Sequence, residues 1–305
     1  MLNKKDIEMK DSDASIEPRI EIKENREIRN AVLIIGVMLV MLFTLIFRIK
    51  GRAYNFSTLT FEYVSGSLDL AITGQFYDGT WFMADHPFWY FLNHFDWLIM
   101  GVLGIVALLF IITGLVKERK KPLFRYGLFI LLSGAITAGL IMNVLLKDLW
   151  GRYRPRHTTF FEGEHNFYAI LDLAWLIEPE SIGEGVSFPA GHPSAFTCYI
   201  LIYFVFKHPE AIIYLFGEFK EWKVKMLKII KWIGLILAII GGILMGMARI
   251  IAGAHFASDV LWNMTITFYV DVFMYYVVFR WPKYERENLN EFLKVKSIIA
   301  DESFG

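Results

Sequence analysis

The stretch Leu98–Val116, LIMGVLGIVALLFIITGLV, runs for nineteen residues without a charged side chain. At about 1.5 Å of rise per residue, such a helix crosses most of the ~30 Å hydrocarbon core of a bilayer. Similar apolar runs stand at Ala31–Phe47, Tyr126–Leu146, Ser194–Phe206, Ile229–Met247 and Val260–Phe279. Backbone polar groups in lipid must be satisfied within their own segment, so runs of this length predict helices. Ser194–Phe206 has only thirteen residues and needs its neighbours to shield it. The fold expected is all-α: a polytopic membrane helix bundle with six transmembrane helices and both termini cytoplasmic.

Composition agrees. Of 305 residues, 55% are hydrophobic, 16% aromatic and 20% charged, and the mean hydropathy is +0.43. That is more apolar than a soluble domain. The 31 basic and 31 acidic side chains leave no basic excess of the kind nucleic-acid binding needs, so the expected partner is the bilayer. Cys198 is the single cysteine, which excludes an internal disulfide.

Residues 1–30 hold seven basic and eight acidic side chains and read as a disordered cytoplasmic tail. The first apolar run begins too far in for a cleaved secretory signal, so it reads as a retained anchor. Residues 31–280 then form the six-helix domain, and residues 281–305 a polar cytoplasmic tail. With the tail inside and the runs alternating, 23 basic residues fall inside and eight outside. This positive-inside bias points to a cytoplasmic (inner) membrane protein. The outside segment Arg48–Trp97 carries fourteen aromatics in fifty residues. It reads as an interfacial aromatic belt, with an in-plane platform guiding a lipid as the sharper alternative.

Few basic residues lie outside, and five of the eight sit in two places. Lys147, Arg152, Arg154 and Arg156 follow the third run, and Arg249 ends the fifth. Gly191-His192-Pro193 opens the fourth run, and His255 with Asp259 opens the sixth. The topology sends all of these to one membrane face. Three fixed cations (Lys147, Arg154 and Arg249) suit a dianion, and guanidinium forks match phosphate oxygens. A helix starting at Pro193 would add its N-terminal dipole. His255 and Asp259, four apart, share a helix face, so the carboxylate can fix the tautomer and leave a nucleophilic nitrogen. His192 is a second imidazole, able to protonate a leaving alkoxide. Together they read as phosphoryl transfer through a phosphohistidine. Taken singly, each element has a plainer reading: headgroup contacts, a snorkelling arginine, a turn, a helix cap. Asp271 reads as locally paired, and the remaining histidines show no metal-ligand spacing.

Three ordered motifs resemble the type 2 phosphatidic acid phosphatase superfamily. Lys147, six residues and Arg154-Pro155 match the first; Pro189-Ala190-Gly191-His192 the second; Ala248-Arg249, five residues, His255, three residues and Asp259 the third. The resemblance implies that His255 is the nucleophile, Asp259 its orienting partner and His192 the acid. It implies that Lys147, Arg154, Arg249 and the backbone near Gly191 bind phosphate, with no metal and no cofactor. Arg152 and Arg156 are candidate headgroup contacts. The implied activity is a metal-independent membrane phosphatase, acting on a lipid phosphate or pyrophosphate at the outer face. A lipid-to-lipid phosphoryl transferase, with a pocket built from 157–186, and a non-catalytic lipid-phosphate binder or transporter are the alternatives. Two motif serines are replaced by Ala190 and Ala248, a change on the order of 1–2 kcal/mol each. Ser187 and Ser194 are the nearby hydroxyls that would substitute for them.

Overall fold

The computed structural model describes residues 26–117, 120–216 and 220–287; of the tail expected over 1–30, residues 1–25 lie outside the described residues, as do those from 288 on. Helix α1 (Arg26–Ile46) begins within the stretch assigned to the tail. A hairpin follows, β1 (Lys50–Asn55) and β2 (Thr60–Ser65), antiparallel with Lys50 opposite Ser65 and Asn55 opposite Thr60. Then come α2 (Ser67–Gly74), α3 (Pro87–His94) and α4 (Asp96–Val116). Helix α5 (Lys121–Gly134) continues as a π-helical stretch, Ala135–Leu146, into α6 (Lys147–Trp150). A long loop holding α7 (Ala174–Ile177) leads to α8 (Ser194–Thr197), α9 (Ile200–Val205) and α10 (Pro209–Ile212). Helix α11 (Glu221–Ile236) passes through π-helical Leu237–Gly241 into α12 (Gly242–Ile251). Last comes α13 (Ala257–Phe273), extended by π-helical Met274–Val278.

Four helical spans are long and apolar enough to cross a membrane: Arg29–Ile46, Asp96–Val116, Lys121–Leu146 and Glu221–Ile251. They coincide with the first, second, third and fifth apolar runs. Their outer faces expose Met38, Leu109, Ile112, Ile229 and Ile240, which water would not tolerate and lipid covers. The protein is therefore an integral membrane protein. The other two runs fall short of that standard. Ser194–Val205 is apolar but short, and it is divided between α8 and α9. Helix α13 has seventeen residues and buries Asp259, Asn263, Thr267 and Asp271 along one face. In place of the local pairing expected of Asp271, its Oδ1 accepts from Thr137 Oγ1 of another helix at 3.5 Å, and its buried Oδ2 has no hydrogen-bond partner among the described residues.

Close helix approach shapes the bundle. A Cβ at Gly127 of α5 would fall 2.5 Å from the Ala107 carbonyl oxygen of α4, so only glycine permits this contact. The main core joins Tyr126 and Phe129 of α5 to Phe204, Tyr275, Phe279 and Trp281. Trp281 stacks on Tyr126 with centroids 4.0 Å apart, and the Tyr126 hydroxyl donates to buried Glu285 at 2.9 Å. Residues just past position 280 are thus part of the packed bundle. A second cluster brings Phe56, Tyr77 and Trp81 against Phe161, with Tyr77–Trp81 centroids 4.9 Å apart. Part of the aromatic segment 48–97 is therefore a packed wall over the loop after α6. Other rings, such as Phe82, Phe88 and Phe91, remain exposed.

Candidate active site

Helix α12 ends just before Gly253, whose φ of 61° is the left-handed turn that brings the chain back on itself. The Ala254 and His255 amides both donate to the Arg249 carbonyl, at 2.9 and 3.3 Å. This turn sets Arg249 and His255 side by side. His255 is 1% exposed, and its Nδ1 lies 2.6 Å from the Ser187 carbonyl oxygen. A carbonyl only accepts, so Nδ1 carries the proton and Nε2 keeps its lone pair. Asp259 Oδ2 stands 4.0 Å from Nδ1, beyond hydrogen-bonding distance. The direct His255–Asp259 bond read from their spacing is thus replaced by one to a backbone carbonyl. Asp259 acts one step back: its Oδ2 accepts from Ser187 Oγ at 2.7 Å and from the Phe256 amide at 2.9 Å, capping α13.

Arg152 overturns its expected place at the lipid headgroup. It is wholly buried, held by two carboxylates that had no assigned role towards it. Its Nη1 donates to Asp259 Oδ1 at 2.5 Å and to Ser258 Oγ at 2.9 Å. Its Nη2 donates to Asp69 Oδ2 at 2.8 Å, and its Nε to the Tyr168 carbonyl at 2.9 Å. Burial works against the Arg152 charge, but Asp259 and Asp69 outweigh it and raise its pKa. Arg156 is exposed at the rim, where its charge bears on Arg154. Its amide donates to the Gly253 carbonyl at 3.0 Å.

The remaining cations surround the imidazoles. Lys147 follows the long π-helical stretch, and its Nζ donates to Asn143 Oδ1 at 3.4 Å. Arg249, 9% exposed, donates to Asn93 Oδ1 at the end of α3. The Nε groups of Arg154 and Arg249 are buried and have no hydrogen-bond partner. Buried guanidinium donors without partners are costly, and an anion between them would satisfy both. His192 Nε2 lies 3.8 Å from Asp96 Oδ2 at the start of α4. Burial first, then Arg249, with Lys147 and Arg154 adding to it, hold the His192 imidazole down to about 4. Burial, then Arg249, Arg154 and His192, hold His255 well below its ordinary value. His192, His255, Lys147, Arg154 and Arg249 are thus in one electrostatic neighbourhood, and both imidazoles are neutral at pH 7.

Two expectations of detail change. Helix α8 is a single four-residue turn, and the amides of Ser194 and Ala195 already bond to the Gly191 and His192 carbonyls. A full helix dipole aimed at the site is absent. The hydroxyls of Ser187 and Ser194 donate to Asp259 Oδ2 and to the Gly191 carbonyl, the latter at 2.5 Å. Neither replaces the hydroxyls missing at Ala190 and Ala248, both of which are buried. Sequence reasoning missed Asp69, Asn93 and Asp96. All three come from the aromatic segment or its edge, where no motif marks them.

Among the described residues no group of three His, Cys, Asp or Glu side chains is arranged to hold a metal ion. Positive charge in the pocket comes from lysine and arginine. The chain belongs to the PAP2 superfamily, a family of membrane phosphatases, whose model matches residues 123–283, more than half of its length. It is accordingly a phosphoric ester hydrolase. It is 25% identical over 240 residues to the lipid A 4'-phosphatase of Francisella tularensis subsp. novicida (strain U112). That match covers 77% of this chain and 97% of the relative. No solved structure matches the chain.

Proposed function

We propose that this protein is a membrane lipid phosphatase that hydrolyses a phosphate ester of a lipid headgroup at the outer face of the membrane. The supporting observation is that two neutral imidazoles and three cations lie in one electrostatic neighbourhood, two of the cations holding buried, unpartnered N–H groups. His255 Nε2 attacks phosphorus, the phosphorus–oxygen bond to the lipid breaks, and His192 gives a proton to the departing alkoxide. Water then attacks the phosphohistidine, His192 takes a proton from it, and the N–P bond breaks to release phosphate. Lys147, Arg154 and Arg249 hold the phosphoryl oxygens through both steps, and no metal enters.

His192 must be protonated when the ester bond breaks, although it is neutral in the free site. A bound phosphate dianion offsets the cations that depress it, so substrate raises its pKa where the proton is needed. The six-span topology, with α8–α9 and α13 as the two shorter crossings, rests on the 23-to-eight charge bias. It sets both termini inside and the pocket outside the inner membrane. Lipid A phosphate is the first substrate to test, since the relative that acts on it is matched along almost its whole length. Purified protein in detergent should release phosphate from a lipid phosphate in the presence of chelator, and His255→Ala and His192→Ala should each abolish release. Undiminished turnover by His255→Ala would rule the mechanism out.

A further inference from the structure

Asp69 belongs to α2, 83 positions before Arg152 and outside the residues that match the family model. It is fully buried. A carboxylate without solvent in a membrane protein is costly unless its charge is paired and both oxygens are hydrogen-bonded. Asp69 meets that condition: Oδ2 accepts from Arg152 Nη2 at 2.8 Å and from Ser258 Oγ at 2.5 Å, and Oδ1 accepts from the Ser258 amide at 2.9 Å. Arg152 in turn forks to Asp259, Asp259 holds the Ser187 hydroxyl, and the Ser187 carbonyl holds His255 Nδ1. Every link in this series is 2.9 Å or shorter, and each side chain in it is almost wholly buried.

Arg152 sits between two carboxylates, so its position is set by both. With Asp69 gone, its guanidinium is free to turn wholly towards Asp259, and the Ser258 amide at the first turn of α13 loses its acceptor. Asp259 and the Ser187 carbonyl would shift with it, and with them the direction of the His255 lone pair. We propose that Asp69 is a positioning residue for the phosphatase reaction, acting through Arg152 and Asp259 to fix the tautomer and aim of His255. The segment 48–97 is then a working part of the catalytic apparatus as well as an aromatic wall. This rests on His255 being the nucleophile, as proposed above.

The test is Asp69→Asn in the full-length protein, with kcat counted per folded molecule. The amide keeps one acceptor oxygen, so it cannot serve both the Arg152 Nη2 and Ser258 Oγ donors now on Oδ2 and the Ser258 amide now on Oδ1, while Lys147, Arg154 and Arg249 are untouched. Misaim of a nucleophile by about 1 Å costs on the order of 10²-fold. The expected result is a kcat loss of that order at unchanged KM and unchanged inhibition by vanadate. Arg152→Gln should resemble it, and the double variant should lose no more than the worse single, because both act along one path. Histidine nitrogen NMR reads the position without turnover. Wild type should show His255 as the single Nδ1–H tautomer, and Asp69→Asn a mixture. Unchanged kcat, a loss confined to KM, additive losses in the double variant, or an unaltered His255 tautomer would overturn the proposal. Should Asp69→Asn fail to fold, Ser258→Ala removes one of the Asp69 contacts more gently. It should lower kcat several-fold at constant KM, and unchanged kcat there counts against the proposal. The NMR readout also separates this claim from the proposed activity, which fails only if wild type cleaves no lipid phosphate.

Discussion

His255 Nδ1 lies 2.6 Å from the Ser187 carbonyl oxygen and 4.0 Å from Asp259 Oδ2. The imidazole is therefore oriented by backbone, and the carboxylate that the motif pairs with it supports that backbone from behind. A carbonyl cannot take a proton from Nδ1, so this arrangement holds the neutral tautomer with Nε2 open to the pocket. Asp259→Asn should weaken both the Ser187 hydroxyl contact and the Arg152 ion pair, so that the Ser187 carbonyl holds His255 Nδ1 less firmly. The expected effect is a fall in kcat of about 10²-fold with little change in KM, measured by phosphate release. A loss as complete as that of His255→Ala would argue for direct contact between the two.

The charge environment of His192 gives a second test. Its depressed pKa arises from burial and from the cations that phosphate would neutralise. Imidazole titration by NMR should place it near 4 in the free protein and clearly higher with vanadate bound. An unchanged titration would mean that the anion binds elsewhere.

The same depression ties stability to pH. Unfolded, His192 takes a proton below about pH 6.5, whereas folded it does so only near 4. Between those values the unfolded state binds more protons, so stability declines as pH falls from 6.5 towards 4. The melting temperature in detergent should drop across this window, and His192→Gln should flatten the slope.

Arg152 lies between two buried carboxylates, and its removal leaves both without a counter-charge. Arg152→Met should destabilise the fold by about 3–5 kcal/mol, the usual cost of breaking a buried charge cluster from one side. Thermal unfolding reads it, and a change under 1 kcal/mol would place those carboxylates in contact with water.

Trp281, fully buried and stacked on Tyr126, should matter as a core residue. Trp281→Ala is expected to cost about 3–5 kcal/mol, although the residue sits where the polar C-terminal tail was expected to begin.

What the sequence disclosed follows from where the information resides. Helical spans such as Leu98–Val116 are legible because hydrocarbon thickness imposes length and apolarity together. The motif positions Lys147, Arg154, His192, Arg249 and His255 converge because each stands at or just beyond the end of an apolar helix, and the chain turns there bring those ends together. Spacing could not reveal which atom holds His255, since an i,i+4 relation is compatible with contact and with 4.0 Å of separation. Arg152 was misplaced because a charge beside a membrane segment looks like a headgroup contact until its counter-charges are known. One of them, Asp69, is an unremarkable residue in a short helix far away in the chain. No local pattern marks a carboxylate whose partners lie 83 and 189 positions further on.

The central claim is tested most directly by incubating the protein with a lipid phosphate labelled in its phosphoryl group, quenching in alkali and mapping the label. The account predicts label on His255 of the wild type and none on His255→Ala. Phosphate release without any label on His255, or label on another side chain, would contradict it.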